Sequence, residues 1–132
     1  MLLVDTNVLV DVLQNDPQWA EWSVAQMRAQ SSLHALVINP IIYAELSLSF
    51  STLEALDDVV GTLALELREI PRSALFLAAK AYAQYRRRGG SKQQVLPDFF
   101  IGAHAAVEGW PLLTRDASRC KTYFPTLDVL AP

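Results

Sequence analysis

Met1-Leu2-Leu3-Val4-Asp5-Thr6-Asn7-Val8-Leu9-Val10-Asp11-Val12-Leu13 opens the chain. Leu2 to Val4 is a short apolar run, cut by the polar Asp5-Thr6-Asn7. Val8, Leu9, Val12 and Leu13 then recur at helical spacing. The order is strand, polar turn, helix, and the rest of the chain repeats it. Ala35 to Ile38 is a second buried strand, and Asn39-Pro40 after it reads as an N-cap with proline at the first helical position. Asp16-Pro17 gives the same signal for a helix through Trp19, Trp22, Val24 and Met27. Thr52 with Ala55, Leu56, Val59 and Val60 predicts another helix. Leu65 to Ile70 alternates apolar and charged residues as a half-buried strand does, and Pro71 closes it.

Arg72 to Arg88 is then a long helix stopped by Gly89-Gly90. Pro97 opens a further helix that ends at Gly109. Leu112-Leu113-Thr114 is a strand, Arg115-Asp116 turns into a brief helix, and Leu127 to Leu130 is the last strand. Strands separated by helices predict an α/β fold, a three-layer α/β/α sandwich around a central, mostly parallel sheet.

The bulk properties agree with a folded domain. A chain of 132 residues, 52% apolar and 19% charged, is sized for one domain spanning residues 1–132 and can bury a core. No basic stretch precedes an apolar run at the N-terminus, and no apolar stretch approaches membrane-spanning length, which predicts a cytoplasmic protein without a membrane partner. One cysteine, Cys120, has no partner for an internal disulfide. The net charge of −3 hides an uneven distribution: Arg28 is the only basic residue before Arg68. Arg86, Arg87, Arg88 and Lys92 are a candidate patch for RNA phosphates, or a solvated helix end where cations meet the C-terminal dipole.

Four acids interrupt apolar contexts and carry the chemistry: Asp5 after the first strand, Glu45 inside an apolar helix, Asp98 in the first turn of a helix, and Asp116 after a late strand. In an open α/β sheet, ligands bind in the crevice beyond the carboxyl ends of the strands. Three of the four acids map to that end, and Glu45 reaches it if its helix runs along the crevice. Ionised carboxylates sharing one desolvated cleft repel one another unless a cation is present. A hard divalent ion, Mg²⁺ or Mn²⁺, prefers such oxygen donors and serves phosphodiester hydrolysis. Taken singly, Asp5, Asp98 and Asp116 also suit helix caps or dipole partners; Glu45 among Ile41, Ile42 and Leu46 has no such ready explanation.

The motifs Asp5-Thr6-Asn7, Pro40-Ile41-Ile42-Tyr43-Ala44-Glu45, Leu96-Pro97-Asp98-Phe99-Phe100-Ile101-Gly102-Ala103-His104-Ala105 and Leu113-Thr114-Arg115-Asp116 resemble, in order and spacing over nearly the whole chain, the PIN domain of VapC-type toxins. Phe124-Pro125 and the terminal strand fit the same pattern. The resemblance implies a metal-dependent endoribonuclease with Asp5, Glu45, Asp98 and Asp116 as catalytic and metal-site acids, and Thr6 or Asn7 and Thr114 as polar support. It also implies a tRNA or structured rRNA loop as substrate, a homodimer, and a cognate VapB-like antitoxin whose basic segment would lie in the acidic cleft.

Two other functions are weighed. A phosphotransfer receiver or Asp-x-Asp phosphatase also gathers acids at this end of a sheet, but Asp5-Thr6-Asn7 lacks the second Asp, and the only lysine after Asp116 is Lys121. A catalytically silent RNA-binding or scaffold module of the same fold is the other. Arg115 is read as contacting phosphate or pairing with a site acid. His104 falls off the stripe that carries Asp98 and Ala105, and is read as packing.

Overall fold

Residues 1–91 and 95–132 are described by the computed structural model. Its strands are β1 (Leu2–Val4), β2 (Leu36–Ile38), β3 (Glu66–Leu67), β4 (Leu112–Leu113) and β5 (Val129–Leu130). They alternate with helices α1 (Thr6–Leu13), α2 (Ala20–Ser31), α3 (Pro40–Ser47), α4 (Leu53–Thr62), α5 (Arg72–Arg87), α6 (Leu96–Glu108) and α7 (Ser118–Tyr123). The strands form one sheet in the order β3-β2-β1-β4-β5, and every neighbouring pair is parallel. The mostly parallel sheet expected from the sequence is thus parallel throughout.

Burial explains this arrangement. Every residue of β1, β2 and β4 is buried, as strands covered by helices on both faces must be. The edges differ: both residues of β3 are exposed and those of β5 are half-buried. Local chemistry sets several helix starts. Asn39 Oδ1 accepts from the Ile42 N–H at 3.0 Å with Pro40 in the first turn, and Thr52 Oγ1 accepts from the Ala55 N–H at 3.1 Å, each satisfying a donor that the helix leaves unpaired.

Three boundaries depart from the sequence expectation by two residues or more, and in one of them the last strand, expected over Leu127 to Leu130, shortens to Val129–Leu130. Asp16 does cap, accepting from the Gln18 and Trp19 N–H groups at 2.9 Å, but it caps a turn, and α2 starts only at Ala20. The strand expected over Leu65 to Ile70 shortens to Glu66–Leu67, because as an edge it pairs with β2 alone.

A second apolar cluster joins α5 to α6. Ala74, Ala78 and Ala81 are buried with Phe99, Ala103 and Phe124, and such small side chains let two helices approach closely. At Gly102 on α6 an added Cβ would stand 2.6 Å from the Phe124 ring, so the chain after α7 rests directly on the α6 backbone. The sheet order places the site. The chain leaves β1 for β2 on one side, whereas β4 lies on the other, so the order reverses between β1 and β4. A crevice at that point, outside the carboxyl ends of the strands, is where open α/β sheets bind ligands.

Candidate functional site

Asp5 and Thr114 end the two strands that bound this crevice. The register sets Val4 beside Leu113, and the Asp5 N–H donates to the Leu113 carbonyl at 2.9 Å. The buried Thr114 hydroxyl then donates to Asp5 Oδ2 at 2.8 Å, while the Thr6 N–H donates to Asp5 Oδ1 at 2.7 Å. Both carboxylate oxygens are therefore held. Asn7 ties the strand ends together: its Nδ2 donates to Thr114 Oγ1 at 3.3 Å, and its Oδ1 accepts from the Arg115 N–H at 3.1 Å. The Asp116 N–H donates to Thr114 Oγ1 at 3.2 Å, which fixes the start of the turn that carries Asp116. From α3, Glu45 reaches the same place, where its Oε1 accepts from the Thr6 hydroxyl at 2.6 Å.

Asp98, in the first turn of α6, completes the group and has a cation of its own. Arg119 Nη1 on α7 donates to Asp98 Oδ2 at 2.9 Å. Electrostatics ties the four acids to one another. The Asp5 carboxyl is pushed up to about 7, chiefly by burial, with Asp98 and Glu45 adding to the rise against the bonds from Thr114 and Thr6. Asp98 also lies above the ordinary carboxylate value, again chiefly through burial, with Glu45 and Asp116 raising it and Arg119 opposing. Cys120 senses the same field: burial, then Asp5, Asp98 and Asp116, push its thiol up to about 12, which makes it an inert packing group.

These acids face a shortage of positive charge. Among the described residues no three His, Cys, Asp or Glu side chains converge as a ready set of metal ligands. Mg²⁺ needs only one or two carboxylates directly, the others acting through water. An all-oxygen donor set, with one acid driven towards neutrality, suits a hard divalent cation.

The model of the PIN domain family matches residues 2–125. The chain belongs to the PIN domain family. This is the family that the four motifs resemble. Among proteins of curated function, no sequence matches it significantly. Solved structures do match. A chain in the structure of VapBC2 from Rickettsia felis bound to a promoter DNA fragment superposes with a TM-score of 0.75 at 18% identity, covering 99% of this chain and 98% of that one. VapBC-1 from nontypeable Haemophilus influenzae gives 0.73 at 17%, over 98% and 96%. DNA-bound VapBC from Salmonella typhimurium gives 0.71 at 21%, over 99% and 98%.

Of the other residues of this PIN domain, some fall where the sequence placed them and some do not. Arg115 pairs with an acid outside the group of four: its Nε and Nη2 donate to Asp11 Oδ2 and Oδ1 at 2.9 and 3.1 Å. That guanidinium is engaged rather than free for phosphate. Asp11 is buried and also accepts from the Ser23 hydroxyl at 2.9 Å. Its signal was an acid on the apolar helix Val8 to Leu13, the same anomaly that marks Glu45. Arg119 had no such signal. Arg86, Arg87 and Arg88 are exposed at the end of α5, and Arg88 Cζ lies 5.4 Å from the Tyr123 ring centre on α7. Lys92 lies outside the described residues. His104 packs in the core, bonded to Asn39 through Nδ1 at 3.1 Å, and burial lowers its pKa.

Proposed function

We propose that this PIN domain is a Mg²⁺- or Mn²⁺-dependent endoribonuclease, the toxin of a toxin–antitoxin pair, acting in the cytoplasm on structured RNA such as a tRNA or an rRNA loop. The carrying observation is the gathering of Asp5, Glu45, Asp98 and Asp116 at the β1/β4 switch point, where Thr114 and Thr6 bond Asp5, Thr6 also bonds Glu45, and burial, with Asp98 and Glu45 adding to it, pushes Asp5 up to about 7. A bound divalent ion would supply an activated water and offset charge on the phosphoryl oxygens.

The chain's own residues do the rest. Thr114 and the Thr6 N–H orient the Asp5 carboxylate, and the Thr6 hydroxyl orients Glu45. Asn7 holds the β1 and β4 ends together, so these acids keep their spacing. Asp116, exposed at the start of the α7 turn, and Asp98 complete the oxygen donors. Exposed Arg86 and Arg87 are available to RNA phosphates.

The structural matches, which include toxin–antitoxin complexes such as that from Klebsiella pneumoniae, support an antitoxin as partner. A basic antitoxin segment in the acidic crevice would supply the missing positive charge and block the site. Exposed Leu48 and Leu53, beside a 250 Å³ depression lined by Phe50 and Leu56, are apolar surface that an antitoxin or a second copy in a homodimer would cover.

Bulk cellular RNA incubated with the antitoxin-free protein tests this reading. Discrete fragments are expected from the wild type with Mg²⁺ or Mn²⁺, and none with EDTA or from Asp5→Asn and Asp98→Asn. Cleavage that survives EDTA or both substitutions overturns the four-acid site. RNA binding without cleavage in any metal favours the silent module instead.

A further inference from the structure

Arg119 is the cation that the four acids already have. Among the described residues it is the only basic side chain in an ion pair with any of them. Its pair with Asp98 is a single contact at 2.9 Å, with the carboxylate 46% exposed and the guanidinium 22% exposed. A bidentate fork, which a fixed Arg–carboxylate pair favours, is not made. The same guanidinium also lies against an aromatic ring, its Cζ 5.7 Å from the Tyr85 ring centre on α5, within range of a cation–π contact that does not depend on Asp98.

The placement of Arg119 is built. Its helix begins at Ser118, whose hydroxyl donates to Asp116 Oδ1 at 3.1 Å, and the Phe124 ring at the other end rests on Gly102. Gly102 lies one helical turn after Asp98 on α6. The close approach at this glycine sets the α7 residues against the α6 turn that bears Asp98.

Resting on the metal-dependent reading above, we infer that Arg119 is the internal counter-ion of the metal-free site and a positioning residue that sets its metal affinity. It holds Asp98 while the site lacks a divalent ion and gives that carboxylate up when the ion binds. The guanidinium competes with the metal for Asp98 as one cation with another. The competition keeps the site occupied by charge at all times. It also makes metal affinity a property of α7 as much as of the acids.

Two readouts independent of RNA cleavage test this inference. The first is Mn²⁺ affinity by calorimetry for wild type, Arg119→Gln and Arg119→Lys, with circular dichroism confirming the fold of each. Losing a unit charge a few ångströms from a divalent ion predicts roughly tenfold tighter Mn²⁺ binding by Arg119→Gln, while Arg119→Lys stays near wild type. The second is the set of Arg119 guanidinium Nη–H resonances of the wild type, which should shift on addition of diamagnetic Mg²⁺ as the Nη1–Asp98 bond is lost. Equal or weaker Mn²⁺ binding by Arg119→Gln, or resonances unmoved at saturating Mg²⁺, overturns the counter-ion role and leaves the nuclease reading intact. If folded wild type and variants all fail to bind Mn²⁺, the metal-dependent reading falls and this inference with it.

Discussion

Two arginines four positions apart flank Asp116, and each meets an aspartate on a distant helix, yet they do opposite work. Arg115 grips Asp11 with two bonds, and Asp11 is buried to 2% exposure with Ser23 filling a further acceptor position. Arg119 touches Asp98 once, in a half-exposed setting among other acids. The first pair is a strut between α1 and the β4–α7 turn. The second is a contact that another cation can replace. Chemistry is the same in both, and what separates them is desolvation and the company each carboxylate keeps: Asp11 has partners for its charge, whereas Asp98 lies among further acids.

The largest effect expected from breaking this comparison is at the strut. Arg115→Met leaves Asp11 buried without its cation, and urea unfolding should show a loss of about 3 kcal/mol, the low end for a broken buried pair because Arg115 is partly exposed. A loss under about 1 kcal/mol would make the two pairs equivalent. Gly102→Ala comes next: the new methyl meets the Phe124 ring, and overpacking of that kind costs about 1–3 kcal/mol. Its unfolding midpoint should fall, and the Arg119 Nη–H resonances should move with it. The smallest effect belongs to Arg119→Gln, which should change metal-free stability by less than about 1 kcal/mol because its pair is solvent-screened.

Much of this arrangement was legible because it is local. Leu2 to Val4 followed by Asp5 is strand and cap within a few residues, and Asn39-Pro40 and Thr52 announce their helices through bonds made three residues on. The gathering of four acids was readable because each breaks an apolar context, and the crevice rule sends such acids to one end of the sheet. What escaped was set by tertiary contacts. The Asp11–Arg115 and Asp98–Arg119 pairs join residues far apart in the chain, so no spacing shows that one arginine is engaged and the other is at the site. Asp16 was correctly a cap, but whether it caps a turn or a helix depends on where the following chain packs. The short β3 reflects its edge position, which alternation over Leu65 to Ile70 does not reveal.

The central claim is that the β1/β4 crevice, with Arg119 as the one paired cation of its four acids among the described residues, is short of positive charge that a divalent ion supplies, and the stability of the protein against pH tests it most directly. The Asp5 carboxyl in the fold sits near 7, above its unfolded value of 3.8, so the folded state holds a proton that the unfolded state has lost. Stability of the EDTA-treated wild type should therefore decline as pH rises from about 4 through 7 and level off above, where the charge is forced into the site. Adding Mn²⁺ at pH 8 should restore the loss by taking the place of the proton, and Asp5→Asn should remove both the decline and much of the Mn²⁺ effect. Melting temperatures with the same pH profile in EDTA and in Mn²⁺, for wild type and Asp5→Asn alike, would contradict the account.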